Sequence, residues 1–391
     1  MQISGIGAVS CAGNSADALW RNALAEHSGI SDGVGIISNT QHAELRAAHP
    51  RAAHASKPVL YAYAAMTEAM RQAGWAKLND DDGLILATTT GQIPAWEGVM
   101  IRFLKKQATA AELASALRTQ SLGSITAELS ELLDFRGRSF LTSSACAAST
   151  QGLALAVQWL TQGKVKRVLV GGTEVLCNLT LEGFRSLQLM SPLNSTPFDV
   201  NRKGINLSEA AAFICLEPTA GAVTAPLAKL TGFGLSTDGY HMTAPHPEGR
   251  GIFEAMNAAL RTAALAPHDI SWVHAHGTGS RHNDQAEGAA ITRLFRNDHT
   301  NDRNDEQPWT SSTKWVHGHA LGASGALETA LCVQALLKQT ILKTSGLKNP
   351  DPAIALRHPA ANAPMKLRHI LKTTLGFGGS NAALVISEAG A

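Results

Sequence analysis

Cysteine is sparse in this 391-residue chain, and its placement excludes two kinds of protein. The five cysteines are scattered and form no Cys-x-x-Cys pair; they are Cys11, Cys146, Cys177, Cys215 and Cys332. An odd, dispersed set argues against a disulfide framework and against a cysteine-rich zinc site. We therefore expect a reduced protein of the cytoplasm.

The chain also lacks an excess of either charge and any long apolar run. Lys and Arg number 33, Asp and Glu number 31, and the formal net charge is +2. No basic run is present, so we expect no nucleic-acid partner. No apolar run reaches the ~18 residues of a membrane span, and the N-terminus has no signal-peptide pattern. These absences favour a soluble cytoplasmic enzyme, or an enzyme-like subunit, with no membrane partner.

What the chain does contain is an alternation of short apolar runs with Ala- and Leu-rich helical stretches. This alternation predicts an α/β protein with buried sheets. Asn14 or Ser15 is the predicted N-cap of the first helix. No Pro/Ser linker divides the chain, so we predict one compact unit of two halves, residues 1–225 and 226–391. The polar stretch 297–308 is predicted to be a surface loop.

Cys146 is the candidate nucleophile, because in SFLTSSACAAS it lies where a predicted strand gives way to a predicted helix. The partial positive charge of a helix N-terminus favours the thiolate. The alternative is a small buried cysteine that fills the junction. Cys215 lies within a predicted strand and Cys332 within a predicted helix. Cys11 and Cys177 lie near turns, and neither opens an obvious helix.

Two stretches share the pattern Trp-Val-His-x-His-x-x-Gly, WVHAHGTG at 272–279 and WVHGHALG at 315–322. His276 precedes a sharp Gly-Thr-Gly turn, and His319 is followed by small residues that permit close backbone approach. Four histidines could form a metal site, but the usual carboxylate spacing and HExxH are missing. A cysteine nucleophile served by a neutral histidine explains more of the pattern, so we predict no metal.

The last motif is LGFGGSNAAL, residues 375–384. It has no Walker lysine and precedes a predicted strand instead of a helix, which disfavours a phosphate-binding loop. A glycine-rich turn near a catalytic cysteine can instead offer a backbone N–H or move as a gate.

Six segments in order resemble the β-ketoacyl-acyl carrier protein synthases over nearly the whole chain. They are ISGIGAVS, SACAAS, PFDVNRKG, HGTGSRHND, STKWVHGHALGASGALE and GFGGSN. The resemblance implies the thiolase-like α/β fold, with two pseudo-repeated halves. Each half would hold a mixed five-stranded sheet in an α-β-α-β-α layered arrangement.

The resemblance also implies roles for individual residues. Cys146 corresponds to the acyl-accepting nucleophile, and His276 and His319 complete the Cys-His-His triad of the elongating synthases. Lys314 and Glu328 correspond to an ion pair around the second histidine.

Further positions match residues around the substrate. Thr278 and Ser280 correspond to residues that hydrogen-bond the phosphopantetheine arm. Phe377 corresponds to the gating phenylalanine, and with Gly378 it forms the oxyanion and gating turn. No cofactor is implied for the chain itself, because phosphopantetheine belongs to the carrier protein. His274 and His317 occupy positions where the family tolerates other residues, so we predict packing roles for them.

The implied reaction is decarboxylative condensation of an acyl group with malonyl-acyl carrier protein. The implied partners are acyl carrier protein and a second synthase-like subunit, in a homodimer or a heterodimer. The segment Ser208–Ala211 reads SEAA where the family usually has GEGA, and residues 90–141 align poorly. The chain elongation could belong to fatty-acid, polyketide or polyene synthesis, and these departures favour a specialised polyketide or aryl-polyene pathway over housekeeping fatty-acid elongation.

Two alternatives stay open at this stage. A non-catalytic chain-length-factor subunit shares the synthase shape, but such subunits typically replace the nucleophile. Arg102, Lys105 and Lys106 could dock the acidic carrier protein, or could form a solvated helix face.

Overall fold

The computed structural model describes residues 1–220, 224–296 and 307–391. Most of the polar stretch predicted to be a surface loop, residues 297–306, lies outside the described residues. The described strands are β1 (Gln2–Ser10), β2 (Gly83–Ala87), β3 (Arg138–Thr142), β4 (Val168–Glu174), β5 (Ala210–Glu217), β6 (Ala228–Thr237), β7 (Trp272–His274), β8 (Trp309–Ser311), β9 (Thr340–Ile341), β10 (Ala363–Pro364), β11 (His369–Gly376) and β12 (Ser380–Ser387).

Helices separate most of these strands, as the alternation predicts. The described α helices are α1 (Ala16–Leu24), α2 (Asn39–Ala48), α3 (Lys57–Gln72), α4 (Ile93–Leu104), α5 (Ala110–Ala116), α6 (Gly123–Leu132), α7 (Ala148–Thr161), α8 (Asn178–Ser186), α9 (Arg250–Ala263), α10 (Arg281–Leu294), α11 (Lys314–His317) and α12 (Ser324–Lys338). Ser15 caps α1 by accepting a hydrogen bond from the Ala18 amide. Within the described ranges, no helix combines the length and apolar character that crossing a bilayer requires.

The sheet topology confirms the predicted pseudo-repeat. The large sheet runs β3-β2-β4-β5-β1-β6-β12-β11-β7-β8, so each half supplies five strands. Within each half the second strand pairs in parallel with the third and fourth, and the fifth is antiparallel to the first and fourth. The sequence did not show that the two sheets join: β1 and β6 pair through Gln2 with Lys229 and Ile3 with Ala228.

Helices pack against both faces of this sheet. α3 and α9 lie on its outer face, and α7 and α12 lie between the two halves. α3 packs on β1 and β5 in the first half, and α9 packs on β6 and β12 in the second. α12 contacts α7 and strands of both halves, and residues 324–336 are all buried. A helix that is buried on every side must be apolar around its whole circumference, which the sequence SGALETALCVQALLK largely provides. α7 and α12 are therefore the central layer.

Matching glycines bring the outer helices onto the sheet in both halves. A Cβ added at Gly7 of β1 would collide with the Ala65 carbonyl oxygen of α3. A Cβ added at Gly234 of β6 would collide with the Ala255 carbonyl oxygen of α9. The same close approach of helix and strand thus occurs at equivalent places in both halves.

Two site residues, Cys146 and His319, come from equivalent positions in the two halves. Cys146 lies between β3 and α7, and His319 lies between β8 and α12. Because α7 and α12 pack against each other, the chain segments that precede them meet. The predicted boundary near residue 225 falls between β5 and β6.

Candidate active site

Cys146 is buried at a sharp turn that opens α7. The preceding Ala145 has φ +48°, a left-handed conformation that is unfavourable for a residue with a side chain. The amide of Ala147 donates to the Ser144 carbonyl at 3.2 Å, which closes the turn. Only 4% of Cys146 is exposed. The Ser and Ala side chains around Cys146 are small enough to permit this tight turn.

The structure brings Cys146 together with both predicted histidines. Nε2 of His319 lies 3.0 Å from the Cys146 sulfur. The rings of His276 and His319 have centroids 5.1 Å apart and stand nearly perpendicular, at 82°. Ligand-type atoms of these three residues all lie within 4.8 Å of one another. They come from three distant parts of the chain.

Burial opposes the expected activation of the thiol. It raises the pKa of Cys146 to about 11, although the positive charge of Lys314 and the amide of Phe377 act in the opposite direction. Burial thus acts against the helix N-terminus, which we expected to favour the thiolate. A neutral thiol needs a base, and His319 is in hydrogen-bond contact with it.

Both site histidines are neutral for a related reason. Burial, followed by the positive charge of Lys314, holds the pKa of His276 and of His319 well below the usual range. A neutral imidazole carries one N–H donor and one acceptor nitrogen. Each histidine can therefore either accept a proton or donate a hydrogen bond, according to its tautomer.

Lys314 sets the tautomer of His276. Its Nζ donates to the His276 carbonyl at 2.6 Å and lies 3.3 Å from Nδ1 of the same residue. An ammonium group has donors only, so Nδ1 of His276 must accept and Nε2 must carry the proton. The ion pair of Lys314 with Glu328 forms as expected. Its lysine, however, contacts the first histidine, whereas the resemblance implied the second.

Lys372 is part of the same buried cluster and was missed by the sequence analysis. Its Nζ lies 3.0 Å from the second carboxylate oxygen of Glu328, and its exposure is 0%. The available signal was a lysine inside the apolar strand HILKTTLG, because a buried charge requires a partner. Two lysines thus share Glu328 behind the site.

Glu287 of α10 was also missed, and it fixes the backbone at His276. Its two carboxylate oxygens accept from the amides of His276 and Gly277, each at 2.8 Å. The hydroxyl of Thr373 on β11 donates to the same carboxylate at 2.6 Å. The sharp Gly-Thr-Gly turn is therefore held by side chains from two other elements.

His319 is held by backbone on one side and by a side chain on the other. Its amide donates to the Asn206 carbonyl at 2.7 Å, and its carbonyl accepts from the Ser208 amide at 3.0 Å. The divergent SEAA segment thus begins directly behind this histidine. Nδ1 of His319 lies 3.0 Å from the hydroxyl oxygen of Ser324, a buried residue to which the sequence analysis gave no role.

The glycine-rich turn between β11 and β12 lies beside the sulfur. The Phe377 amide acts on the Cys146 thiol as a donor that lowers its pKa. The Phe377 ring stacks on Phe184 with centroids 5.2 Å apart. The amide of Gly378 instead donates to the Met242 carbonyl at 2.7 Å, and its φ is +78°. Gly378 therefore supplies the bend of the turn, and Phe377 supplies the amide donor beside the sulfur.

A narrow cleft leads from the surface to Cys146. Phe184, Leu189 and Ile205 form an apolar wall. Thr278 and Ser280 lie on a polar wall, with their hydroxyl oxygens 3.1 Å apart. The cleft can thus hold a molecule with a polar stretch and an apolar stretch.

The other two histidines of the repeated pattern lie elsewhere. The hydroxyl of Thr313 joins Nε2 of His274 at 3.0 Å to Nε2 of His317 at 2.9 Å. Burial lowers the pKa of His274 to about 3 and that of His317 to about 4. Among the described residues, neither belongs to the donor group around Cys146. The four histidines therefore do not form one metal site.

Cys177 differs from its sequence-based description. It is the N-cap residue of α8, so it does open a helix. Its sulfur contacts the Thr180 hydroxyl at 3.4 Å, and burial raises its pKa. Cys215 in β5 and Cys332 in α12 are buried core residues, as predicted.

Comparison with known proteins identifies the family. The beta-ketoacyl synthase N-terminal domain matches residues 1–222 and the C-terminal domain matches residues 227–348. Nodulation protein E of Rhizobium leguminosarum bv. trifolii is 32% identical over 99% of this chain and 98% of its own length. The 3-oxoacyl-[acyl-carrier-protein] synthase 2 of a Synechocystis strain is 27% identical over 99% of this chain and 97% of its own.

A solved structure agrees with these relatives. One chain of the solved complex of a ketosynthase with its chain length factor, from Xenorhabdus doucetiae, superimposes on this chain with a TM-score of 0.83 at 26% identity. The match covers 99% of this chain and 97% of that one. The chain belongs to the β-ketoacyl synthase family, and it is a condensing enzyme of the thiolase-like fold.

Proposed function

We propose that this condensing enzyme holds an acyl group on Cys146 and joins it to the malonyl group of malonyl-acyl carrier protein. The product is a β-ketoacyl-acyl carrier protein two carbons longer than the acyl group. The observation that carries this proposal is the convergence of the Cys146 sulfur, His319 and His276 at the inner end of one cleft. The chemistry requires no metal and no redox cofactor on the chain.

In the first half-reaction, the Cys146 sulfur attacks the thioester carbonyl of an acyl-carrier protein. Because the thiol is neutral, Nε2 of His319 takes its proton and passes it to the departing carrier thiolate. The amides of Cys146 and Phe377 are the donors for the negative oxygen of the tetrahedral intermediate. A carbon–sulfur bond forms at Cys146, and the carrier thioester bond breaks.

In the second half-reaction, malonyl-carrier protein occupies the emptied cleft. Loss of CO2 leaves its electron pair in an enolate, whose oxygen needs hydrogen-bond donors. Nε2–H of His276, fixed by Lys314, is one donor, and His319 in its Nε2–H tautomer is the other. The enolate carbon then attacks the acyl thioester, and the Cys146 sulfur departs and regains a proton from solvent.

Acyl carrier protein is the substrate partner in this proposal. Its phosphopantetheine arm would lie along the polar wall, where Thr278 and Ser280 present hydroxyl groups. Arg102, Lys105 and Lys106 are exposed at the end of α4, so either docking or simple solvation fits them. If they dock the carrier, charge reversal weakens its binding; unchanged binding would leave them as a solvated face.

A chain-length-factor-like subunit is the second candidate. The Xenorhabdus structure shows that a ketosynthase of this fold can pair with such a factor, which supports a dimer of related subunits for this chain. The intact Cys146, His276 and His319 favour the catalytic member of such a pair. The divergent Ser208–Ala211 segment supports a polyketide or aryl-polyene pathway.

A condensation assay on the isolated chain distinguishes the two candidates. Purified protein with acyl- and malonyl-carrier protein should release CO2 and form the β-ketoacyl product. Cys146→Ala should abolish product formation. A folded chain that acts only after addition of a separate synthase subunit would instead be the non-catalytic partner.

A further inference from the structure

Ser324 lies directly behind the histidine that contacts the nucleophile. Its hydroxyl oxygen is 3.0 Å from Nδ1 of His319, while Nε2 of the same ring is 3.0 Å from the Cys146 sulfur. All three residues are buried. The imidazole is therefore held between a sulfur and a hydroxyl, in the arrangement of nucleophile, base and orienting group that activates nucleophiles in many enzymes.

The position of Ser324 is fixed relative to Cys146 by helix contacts. Ser324 is the first residue of α12, and Ser149 lies in the first turn of α7. The Ser149 hydroxyl accepts from the Ala326 amide at 3.0 Å, so α7 caps the start of α12. The first turns of the two central helices thus hold sulfur, imidazole and hydroxyl in one rigid unit.

The proposed reaction asks His319 for opposite tautomers in its two halves. As a base toward Cys146, its Nε2 must be bare, so Nδ1 carries the proton and needs an acceptor. As a donor to the enolate, its Nε2 carries the proton, so Nδ1 is bare and needs a donor. A carbonyl would serve the first tautomer alone and an amide the second alone, whereas a hydroxyl can accept or donate by rotating.

We propose that Ser324 is a positioning residue that satisfies Nδ1 of His319 in either neutral tautomer. The same imidazole then serves first as the base for Cys146 and later as an N–H donor to the enolate. This inference rests on the proposed condensation function. It adds a residue that acts on the reaction through His319.

Replacing Ser324 with Ala should harm the two half-reactions unequally. In the tautomer that acts as base, the variant leaves the buried Nδ1–H without an acceptor. A buried N–H without an acceptor is tolerated less well than a buried acceptor without a donor. The ring should therefore settle in the Nε2–H tautomer. We expect acyl transfer to fall roughly ten- to hundredfold, and CO2 release from malonyl-carrier protein to fall by a clearly smaller factor.

The test compares wild type, Ser324→Ala and a control, Thr329→Val. Thr329 bears another buried hydroxyl of α12, which bonds only to the Gly325 carbonyl among the described contacts. Three quantities are measured for each: acyl transfer to Cys146, CO2 release, and the pH dependence of Cys146 alkylation by iodoacetamide. Melting temperatures establish that each variant is folded. The control should match wild type in all three measurements.

In Ser324→Ala, Cys146 alkylation should need higher pH than in wild type. Unchanged alkylation, or equal losses in both half-reactions with the fold intact, would overturn the role of Ser324. The alkylation arm uses no carrier substrate. If wild type shows neither half-reaction, the proposed function fails, and alkylation still decides whether Ser324 supports the Cys146–His319 pair.

Discussion

At the scale of residues, the two histidine pairs differ in what their ring nitrogens face. His276 and His319 face the nucleophile and the cleft, whereas His274 and His317 face the Thr313 hydroxyl. The shared Trp-Val-His prefix thus precedes two unlike environments. Register with the family motifs already distinguishes the two pairs in the sequence, and the geometry agrees with that distinction.

Alanine substitutions should distinguish the pairs. His276→Ala and His319→Ala should each lower kcat for condensation by roughly 10²–10⁴-fold, because each removes a proton-transfer or oxyanion group. His274→Ala and His317→Ala should keep most of the activity and lose stability instead. Steady-state rates and melting temperatures of the four variants provide the measurement. Equal losses of activity in all four would contradict the assignment.

The buried pair of His274 and His317 should also make the folded protein less stable in acid. His317 has a pKa of about 4 when folded and about 6.5 when unfolded, so the unfolded chain binds a proton first as pH falls. Stability contributed by the neutral form is present above pH 6.5 and is lost between about pH 6.5 and 4, by about 1 kcal/mol per pH unit.

Replacing this histidine isolates its contribution. His317→Asn should show a shallower loss of unfolding free energy across that pH range than wild type does, in denaturant titrations at several pH values. Parallel curves for the two proteins would show that His317 does not carry the effect.

Several partners in the site could not be predicted from the sequence. Ser324 is only five residues from His319, so the sequence offers a hint of their contact. Glu287, by contrast, contacts His276 from helix α10, and Lys372 contacts Glu328 of α12 from strand β11. Motif spacing reports the order of segments along the chain. It does not report which buried polar atoms face each other. The raised pKa of Cys146 likewise depends on burial by surrounding elements.

At the scale of elements, the close contact of helix and strand is a property that both halves share. Gly7→Ala and Gly234→Ala should each destabilise the protein by about 1–3 kcal/mol, because the new methyl group displaces α3 or α9 from the sheet. Gly98→Ala is the control, since an added Cβ there meets nothing within 4 Å. Chemical denaturation of the three variants measures the difference.

The control should be neutral or slightly stabilising, because Gly98 lies within α4, where alanine is the better helix former. If the two sheet glycines behaved like Gly98, the close packing of α3 and α9 would not be a requirement of the fold.

At the scale of the whole molecule, the duplicated topology explains why the site exists where it does. Each half places a loop between its third strand and its central helix, and these loops carry Cys146 and His319. The alternation of apolar runs and helical stretches predicts the α/β class, and the ordered motifs predict the repeat. The pairing of β1 with β6 escapes prediction because it involves two residues at each strand end.

The central claim is that Cys146 carries the acyl group during condensation. The direct test incubates the purified chain with acyl-carrier protein alone, digests it and locates the acyl adduct by mass spectrometry. The account predicts one thioester adduct, on the peptide that contains Cys146, and its loss as β-ketoacyl product forms when malonyl-carrier protein is added. An adduct on another cysteine, or product formation without any acyl-enzyme, would contradict it.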